Sequence, residues 1–216
     1  MPDDPQDPQD IAQRTIANYR GRADAFWAGT RDHDVSQNLT ALLGAIEGPA
    51  PWTVLDFGCG PGRDLKALAD LGHVAIGLDG TPEFAAMARD FSACSVWQQD
   101  FLVLDLPVGH FDGIFANASL FHVPTSELPR VLAELRTSLK ANGVLFCSNP
   151  RGDDEEGWNG DRYGVFHSLA GWTRYVQAAG FALVDYYWRP TGVPAEQQNW
   201  LATVWRRVDS TAAVPV

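Results

Sequence analysis

The 216-residue chain is poor in cysteine and in basic side chains, and it has no long apolar run. Its three cysteines show no CxxC spacing, which argues against a zinc site or a disulfide framework and favours reduced thiols in the cytoplasm. Lys and Arg total 16 against 27 Asp and Glu, and the net charge of −11 disfavours nucleic acid as a partner. No run approaches the roughly 18 apolar residues of a membrane span, so no membrane partner is predicted.

The sequence also has no pattern of residues typical of a metal site. None of the five histidines has the spacing of a metal-ligand set, and no metal site is predicted; they are His33, His73, His110, His122 and His167. Residues 1–10, with three prolines among four aspartates, are predicted to be a disordered tail. Residues 11–216 suit a single domain, in which helices at 11–28 and 35–46 are predicted to form an N-terminal helical lid over residues 11–48.

Strand and helix patterns alternate from residue 53 onward. Short apolar runs separated by helical patterns are typical of a parallel sheet covered on both faces, and five such runs lie at 53–57, 74–78, 94–98, 111–116 and 144–148. Two later runs, 181–188 and 200–207, have no helix pattern between them and are predicted to pair antiparallel. The predicted fold class is therefore α/β: a Rossmann-like, doubly wound, mostly parallel seven-stranded sheet with an antiparallel C-terminal strand.

The glycine-rich turn after the first strand is the sharpest motif, and it reads Asp56-Phe57-Gly58-Cys59-Gly60-Pro61-Gly62-Arg63. Glycines at such a turn let the chain bend tightly and let backbone N–H groups approach a ligand at the start of a helix. A dinucleotide fingerprint would need its third glycine where Arg63 stands, and a phosphate loop would need Gly-Lys-Ser/Thr. Neither of these two patterns fits.

The turn resembles motif I of the class I S-adenosylmethionine-dependent methyltransferases, and the resemblance continues over roughly residues 19–207. It implies S-adenosylmethionine as cofactor, with Asp79 holding the ribose hydroxyls, Asp100 the adenine amino group and Phe101 covering the ring. The cofactor-binding residues that the resemblance implies are Asp56, Gly58, Gly60, Gly62, Arg63, Asp79, Gly80, Asp100, Phe101, Asn117 and Ala118.

Residues of the predicted lid are candidates for covering this cofactor. Tyr19 is expected to pack near the sulfonium, Arg31 is expected to meet the cofactor carboxylate, and Trp27 is a further candidate cofactor contact. His33, which lies between two aspartates, is a candidate catalytic side chain. The alternative is that His33 and its neighbours form a solvated surface.

The segment after the fourth strand is expected to lie beneath the sulfonium. There His122 is a candidate general base, and Phe121 beside it is a candidate substrate contact. The alternative for His122 is a structural histidine that bonds to the backbone. Many methyltransferases of this family need no base.

Two segments after the fifth strand complete the candidate acceptor site. Asn149 and Arg151 are expected to bind the acceptor, Arg151 through a carboxylate. The long stretch 153–164 is expected to be an acceptor-binding loop walled by Trp158 and Tyr163, of which Tyr163 is also a candidate catalytic residue. Its acidic run would favour a cationic acceptor if it faced inward, although a solvated face is the simpler interpretation.

These expectations together predict a methyltransferase acting on a small polar acceptor, through an amine or a ring nitrogen, with histidine-derived compounds among the candidates. The chain is expected to be a monomer or a homodimer. Three alternatives remain at this point: an O, S or macromolecular acceptor, a cofactor-binding module without catalysis, and a nicotinamide-dependent oxidoreductase.

Overall fold

The computed structural model describes residues 7–209, and a seven-stranded sheet forms its centre. The sheet strands are β1 (Thr53–Phe57), β2 (Val74–Asp79), β3 (Ser95–Gln98), β4 (Phe111–Asn117), β5 (Leu139–Pro150), β8 (Phe181–Arg189) and β9 (Trp200–Arg207). Their order is β3-β2-β1-β4-β5-β9-β8, and β9 runs antiparallel to both of its neighbours. This topology confirms the predicted fold class.

Within the described residues, seven α-helices surround the sheet: α1 (Pro8–Arg20), α2 (Ala23–Thr30), α3 (Ser36–Ala45), α4 (Arg63–Asp70), α5 (Pro82–Ser92), α6 (Leu128–Ser138) and α7 (Leu169–Ala178). Alternate residues of β1 serve two hydrophobic clusters, since successive side chains of a strand point to opposite faces. Leu55 and Phe57 pack with α6 and α7, whereas Val54 packs with α3, α4 and α5. The sheet is therefore covered on both faces, as its continuous apolar runs indicate.

The predicted first helix is two helices, with a break at Gly21 and Arg22. Helix α1 begins at Pro8, earlier than predicted, because the Asp7 carboxylate accepts a hydrogen bond from the Gln9 N–H (2.9 Å) and proline suits a first turn. Of the predicted disordered tail, residues 1–6 lie outside the described part of the chain. Within 7–209, no helix combines the length and apolarity needed to cross a bilayer.

The stretch after β5 differs from the predicted loop. It forms a β-hairpin of β6 (Glu155–Asn159) and β7 (Arg162–Phe166), joined by a two-residue turn in which Gly160 has φ +64°. The hairpin docks on α1: the Arg14 guanidinium pairs with the Asp161 carboxylate (2.7 Å), and the Tyr163 N–H donates to Thr15 Oγ1 (3.1 Å). The hairpin and α1 thus form one continuous cover on the carboxyl ends of the strands.

The carboxylates of the acidic run at the start of this hairpin accept hydrogen bonds from other groups of the protein. Asp154 accepts hydrogen bonds from Ser168, Glu155 accepts one from the Asp153 N–H, and Glu156 accepts one from the Thr125 N–H. The idea that these carboxylates face inward and select a cationic acceptor is therefore not supported.

Candidate active site

The carboxyl ends of β1, β2 and β4 and the inner face of α1 enclose a cavity of about 100 Å³. It brings together a large part of the predicted cofactor site, since its lining includes Tyr19, Gly58, Gly60, Asp79, Gly80, Asp100, Phe101 and Ala118. Parallel strands of an open α/β sheet leave such a crevice beyond their ends, and the observed cavity lies there.

The glycine turn approaches its neighbours more closely than any side chain would permit. A Cβ atom on Gly58, which has φ +79°, would lie 2.4 Å from Ser119 Cβ, and one on Gly62 (φ +96°) would lie 2.8 Å from Ala88 Cα. Both positions also have the left-handed backbone that favours glycine. The turn is therefore built for close packing between β1, α5 and the segment after β4.

Asp79 lies at the end of β2 and is 8% exposed. Its Oδ2 accepts a hydrogen bond from the Gly60 N–H (2.9 Å) and its Oδ1 accepts one from the Thr81 N–H (2.8 Å). These two bonds fix the carboxylate at the cavity wall, while burial raises the pKa of Asp79 to about 6. A fixed carboxylate with a free lone pair on each oxygen can accept bonds from paired hydroxyl groups.

Asp100 follows β3 and is held by the first turns of α1. The amides of Gln9 and Gln13 donate to its Oδ2 at 2.8 and 3.1 Å, and the Leu102 N–H donates to its Oδ1 at 2.9 Å. The next ring, Phe101, stacks on Phe57 with centroids 4.3 Å apart and lines the cavity. The Asp100 carboxylate, which can accept hydrogen bonds from a ligand, therefore lies beside the flat apolar ring of Phe101.

The candidate base His122 is partly buried and lines the cavity beside Tyr19. Its Nδ1 lies 2.6 Å from the Tyr163 carbonyl oxygen, which can only accept, so Nδ1 is assigned the proton and Nε2 accepts from the Tyr19 hydroxyl (2.8 Å). Burial lowers the pKa of His122 to about 4, so the imidazole is neutral at pH 7. The Tyr19 hydroxyl occupies the only lone pair of this imidazole that could take a proton.

Tyr163, a further candidate catalytic residue, lies on the hairpin, and its backbone carbonyl accepts the hydrogen bond from His122. Burial and the nearby Glu156 carboxylate raise the pKa of its phenol to about 12. Its ring packs against Trp158 and does not line the cavity.

A groove of about 720 Å³ adjoins the cavity. The two spaces share Tyr19, Phe26, Gly58, Gly60 and Ala118, the last of which has φ +61°. Farther along, the groove is lined by the predicted residues Trp27, His33 and Phe121, and by residues that sequence reasoning missed, namely Arg162, Arg189 and Trp200. No sequence motif marks these three, because tertiary folding alone brings the hairpin and the ends of β8 and β9 to this wall.

Arg63, Asn117 and Asp56 bond within the protein or lie below the cavity. The Arg63 guanidinium donates to the Asp64 carboxylate (2.6 Å) and to the Thr30 carbonyl (2.7 Å), and the Asn117 amide donates to the same carboxylate (2.9 Å). Asp56 is 2% exposed, and burial raises its pKa well above the usual range. Arg63 and Asn117 also line the groove described above, whereas Asp56 lines neither space.

Four other predicted residues line neither the cavity nor the groove. Arg31 pairs with Asp32 at the surface (3.3 Å), and the Arg151 guanidinium donates to the Ala195 carbonyl (2.9 Å) and lies over the Trp188 ring. Asn149 is buried in β5, and Trp158 packs under the Arg14 guanidinium on the hairpin.

Ser119 is a further residue at the site that the sequence did not single out. It is 3% exposed and lines the cavity, and its hydroxyl oxygen has no hydrogen-bond partner among residues 7–209. A buried hydroxyl without a partner is costly unless a ligand satisfies it. The sequence signal that could have identified Ser119 is its place in the segment after the fourth strand, which was expected to lie beneath the sulfonium.

No group of three His, Cys, Asp or Glu side chains that could hold a metal ion occurs in the described part of the chain.

Comparison with known proteins finds a methyltransferase domain within the chain and a shared fold. A family model described as a methyltransferase domain matches residues 54–143. A solved structure of the Burkholderia thailandensis 1,6-didemethyltoxoflavin-N1-methyltransferase, with bound 1,6-didemethyltoxoflavin and S-adenosylhomocysteine, is similar over 97% of this chain and 94% of its own, with a TM-score of 0.77 and 23% identity. The structure of a DhpI complex with S-adenosylhomocysteine is similar over 92% of this chain, with a TM-score of 0.68 and 21% identity. These two likenesses show the fold.

Two curated relatives match part of the chain. Trans-aconitate 2-methyltransferase of Azoarcus sp. is 35% identical over 105 residues, which are 48% of this chain. The 2-heptyl-1-hydroxyquinolin-4(1H)-one methyltransferase of Mycobacteroides abscessus is 32% identical over 118 residues, which are 52% of this chain. The chain spans 41% and 52% of the lengths of these relatives.

Proposed function

We propose that this chain, which carries a methyltransferase domain at residues 54–143 within the fold of S-adenosylmethionine-dependent methyltransferases, transfers a methyl group to a ring nitrogen of a small polar acceptor. The observation that carries the proposal is the meeting of the cavity and the groove at Tyr19, Gly58 and Ala118. A cofactor in the cavity and an acceptor in the groove would meet there.

The predicted family, cofactor and enzymatic activity are supported at the level of the domain. The matched model is a methyltransferase domain, the relatives are named methyltransferases, and two structural neighbours hold S-adenosylhomocysteine. The acceptor, the monomeric or dimeric state, the cytoplasmic location and the absence of a nucleic-acid partner stay predictions.

The residues of the cavity fit an adenosyl group. Asp79 can accept bonds from two sugar hydroxyls, Asp100 can accept one from an amino group, and Phe101 and Phe84 offer apolar walls to a flat base. The Ser119 hydroxyl lacks a partner among the described residues and would gain one. Apolar walls with a few fixed polar groups are typical of sites for small cofactors.

The groove supports a ring-shaped acceptor. Its walls include Trp27, Phe121 and Trp200, and the Phe121 and Trp200 rings meet edge to face with centroids 6.3 Å apart. Aromatic walls favour flat rings through offset or edge-to-face contacts. The N-methyltransferase that shares this fold, with its bound didemethyltoxoflavin, supports a ring nitrogen as the methylated atom.

When bound, S-adenosylmethionine supplies an electrophilic methyl group, so that the bond from carbon to the acceptor nitrogen forms as the carbon–sulfur bond breaks and sulfur keeps the electron pair. The protein aligns the acceptor and excludes water, an effect worth roughly 7–11 kcal/mol in well-oriented reactions. The acceptor N–H proton passes to Tyr19 Oη while the Tyr19 proton passes to His122 Nε2. His122 Nδ1–H continues to donate to the Tyr163 carbonyl, which stabilises the imidazolium.

The proposed activity is tested by incubating the full chain with methyl-labelled S-adenosylmethionine and a panel of imidazoles, fused nitrogen rings, amines, phenols and thiols. Mass spectrometry would identify the methylated atom, and transfer to a ring nitrogen is expected. Transfer only to oxygen, sulfur or a macromolecule would contradict the proposed acceptor, and failure to bind S-adenosylhomocysteine in calorimetry would contradict the proposed activity.

Replacing Tyr19 by phenylalanine is expected to lower kcat about 100-fold, since the hydroxyl that links the groove to His122 is lost. The ring contacts of Tyr19 with Phe26 and Phe84 remain, so the affinity for S-adenosylhomocysteine should change less than about threefold. Steady-state kinetics and calorimetry measure the two quantities. Tyr175→Phe, on α7 away from the site, is the matched control, and an unchanged kcat in Tyr19→Phe would remove the proton-transfer role.

A further inference from the structure

We propose that the acceptor carries a carboxylate, which Arg162 and Arg189 hold in the groove. This inference rests on the proposed function, because it describes the acceptor of the same site. It concerns the chemical class of the substrate, and it reverses the preference for a cationic acceptor that the acidic run of the sequence suggested.

The two arginines lie on two separate elements, and both line the groove. Arg162 is the first residue of β7, and its guanidinium carbon lies 5.9 Å from the Tyr19 ring centroid, where the groove joins the cavity. Arg189 is the last residue of β8, and its register partner in β9 is Trp200. The groove that they line also has the aromatic rings of Phe121 and Trp200 in its wall.

The carboxylates that line the same groove already form hydrogen bonds or ion pairs within the protein. Asp34 Oδ1 accepts from the Ser36 N–H (2.9 Å), and Asp32 pairs with Arg31 (3.3 Å). Asp64 is held by Arg63 and by the Asn117 amide. Arg63, the third arginine of the groove, is thereby neutralised.

Arg162 and Arg189 have no such compensation. Across residues 7–209, neither guanidinium has a carboxylate oxygen within 4.0 Å, and Arg189 donates one N–H to the Asp34 carbonyl (2.9 Å). Arg162 interacts with the Tyr19 hydroxyl and Arg189 lies within electrostatic reach of the Asp34 carboxylate, but each guanidinium has five N–H donors and so retains donors for a ligand in the groove. A guanidinium binds a carboxylate through two parallel hydrogen bonds, which makes a carboxylate its natural partner.

A carboxylate could also come from the methionine end of the cofactor. Arg63 adjoins the glycine turn, but its charge is already paired with Asp64, whereas Arg189 is the register partner of Trp200, a ring of the groove wall. We therefore take the acceptor as the source. A carboxylate on the acceptor and one on the cofactor predict different effects of the arginine variants on cofactor affinity. The experiment measures cofactor affinity separately from acceptor binding.

The experiment uses a fragment library of heteroaromatic acids paired with their own carboxamides, screened by ligand-observed NMR against the full chain saturated with S-adenosylhomocysteine. Acids are expected to predominate among the binders. Arg162→Gln and Arg189→Gln should each weaken the acids about tenfold, leave their amides unchanged and leave the affinity for S-adenosylhomocysteine unchanged. Arg174→Gln, an exposed arginine of α7, is the matched control.

Two results would overturn the inference. One is a library in which acids bind no more often than amides, or in which no acid binds. The other is a loss of S-adenosylhomocysteine affinity in both variants with acid binding unchanged, which would assign the arginines to the cofactor. Failure of the wild-type chain to bind S-adenosylhomocysteine would instead contradict the proposed function itself.

Discussion

Asp79→Asn is expected to lower the affinity for S-adenosylhomocysteine about 100-fold or more. The Asp79 carboxylate is fixed by the Gly60 and Thr81 N–H groups and would accept two sugar hydroxyls, and each hydrogen bond to a charged group contributes about 1.5–3 kcal/mol. Asparagine keeps the size of the side chain but loses the charge and one acceptor oxygen. Isothermal titration calorimetry measures the change directly.

The pH dependence of binding gives an independent check on Asp79. Burial raises its pKa to about 6 in the free protein, and hydroxyl donors favour the ionised form, so the affinity should fall as the pH falls through about 6. In Asp79→Asn this pH dependence should vanish. Asp90→Asn, an exposed aspartate of α5, serves as control, and a wild-type affinity in Asp79→Asn would exclude the proposed sugar contact.

The same raised pKa affects folding stability in the free protein. The unfolded carboxyl ionises near 3.8 and the folded one near 6, so the folded state binds the proton more tightly across this interval. This group therefore favours the fold below about pH 4 and loses that contribution as the pH rises through 6. Bound cofactor should reverse the trend by stabilising the ionised form.

Gly58→Ala is expected to destabilise the fold by roughly 3 kcal/mol and to abolish measurable cofactor binding. The new Cβ would lie 2.4 Å from Ser119 Cβ and 3.1 Å from the Phe101 ring, on a residue with φ +79°. Relief requires the turn to move away from the segment after β4, which separates two walls of the cavity. Chemical denaturation and calorimetry measure the two effects.

Gly44→Ala provides the matched control for this substitution. Gly44 lies in α3, and a Cβ there meets no heavy atom within 4 Å, so alanine should leave stability unchanged or raise it by up to about 1 kcal/mol. Normal stability together with normal cofactor binding in Gly58→Ala would contradict the proposed role of the glycine turn.

The sheet and the glycine turn could be predicted because local sequence determines them. The run 53–57 matches β1 at both ends, and its apolar residues divide between the two faces as in any buried strand. The glycine spacing that follows reflects close contacts that exclude a Cβ. Asp79 and Asp100 could be placed because chain direction alone brings strand ends to one edge of the sheet.

The hairpin could not be read from periodicity, although one signal was present. Gly160-Asp161, the two residues of the turn, are of a type common in tight hairpin turns, but the flanking strands are short. Their stability comes from docking on α1 through Arg14 and Thr15, which is a tertiary contact. Arg162 and Arg189 reach the groove for the same reason, and no local pattern identifies them.

The role of His122 depended on a contact that a sequence cannot reveal. A histidine after β4 is compatible with a general base, but Tyr19, 103 residues away, occupies its Nε2. Arg31 and Arg151 were expected at the site because of their charge and position. Their guanidinium groups instead find nearer partners, in Asp32 and in the Ala195 carbonyl.

Helix α1 also sets a condition on turnover. Its glutamines hold Asp100, its Ile16 covers the cavity, and its Arg14 holds the hairpin that frames the groove. A spent nucleoside that leaves past α1 has to break these contacts, and the acceptor groove loses one wall at the same moment. Release of the nucleoside and a change in the shape of the acceptor groove would then be coupled through the movement of α1.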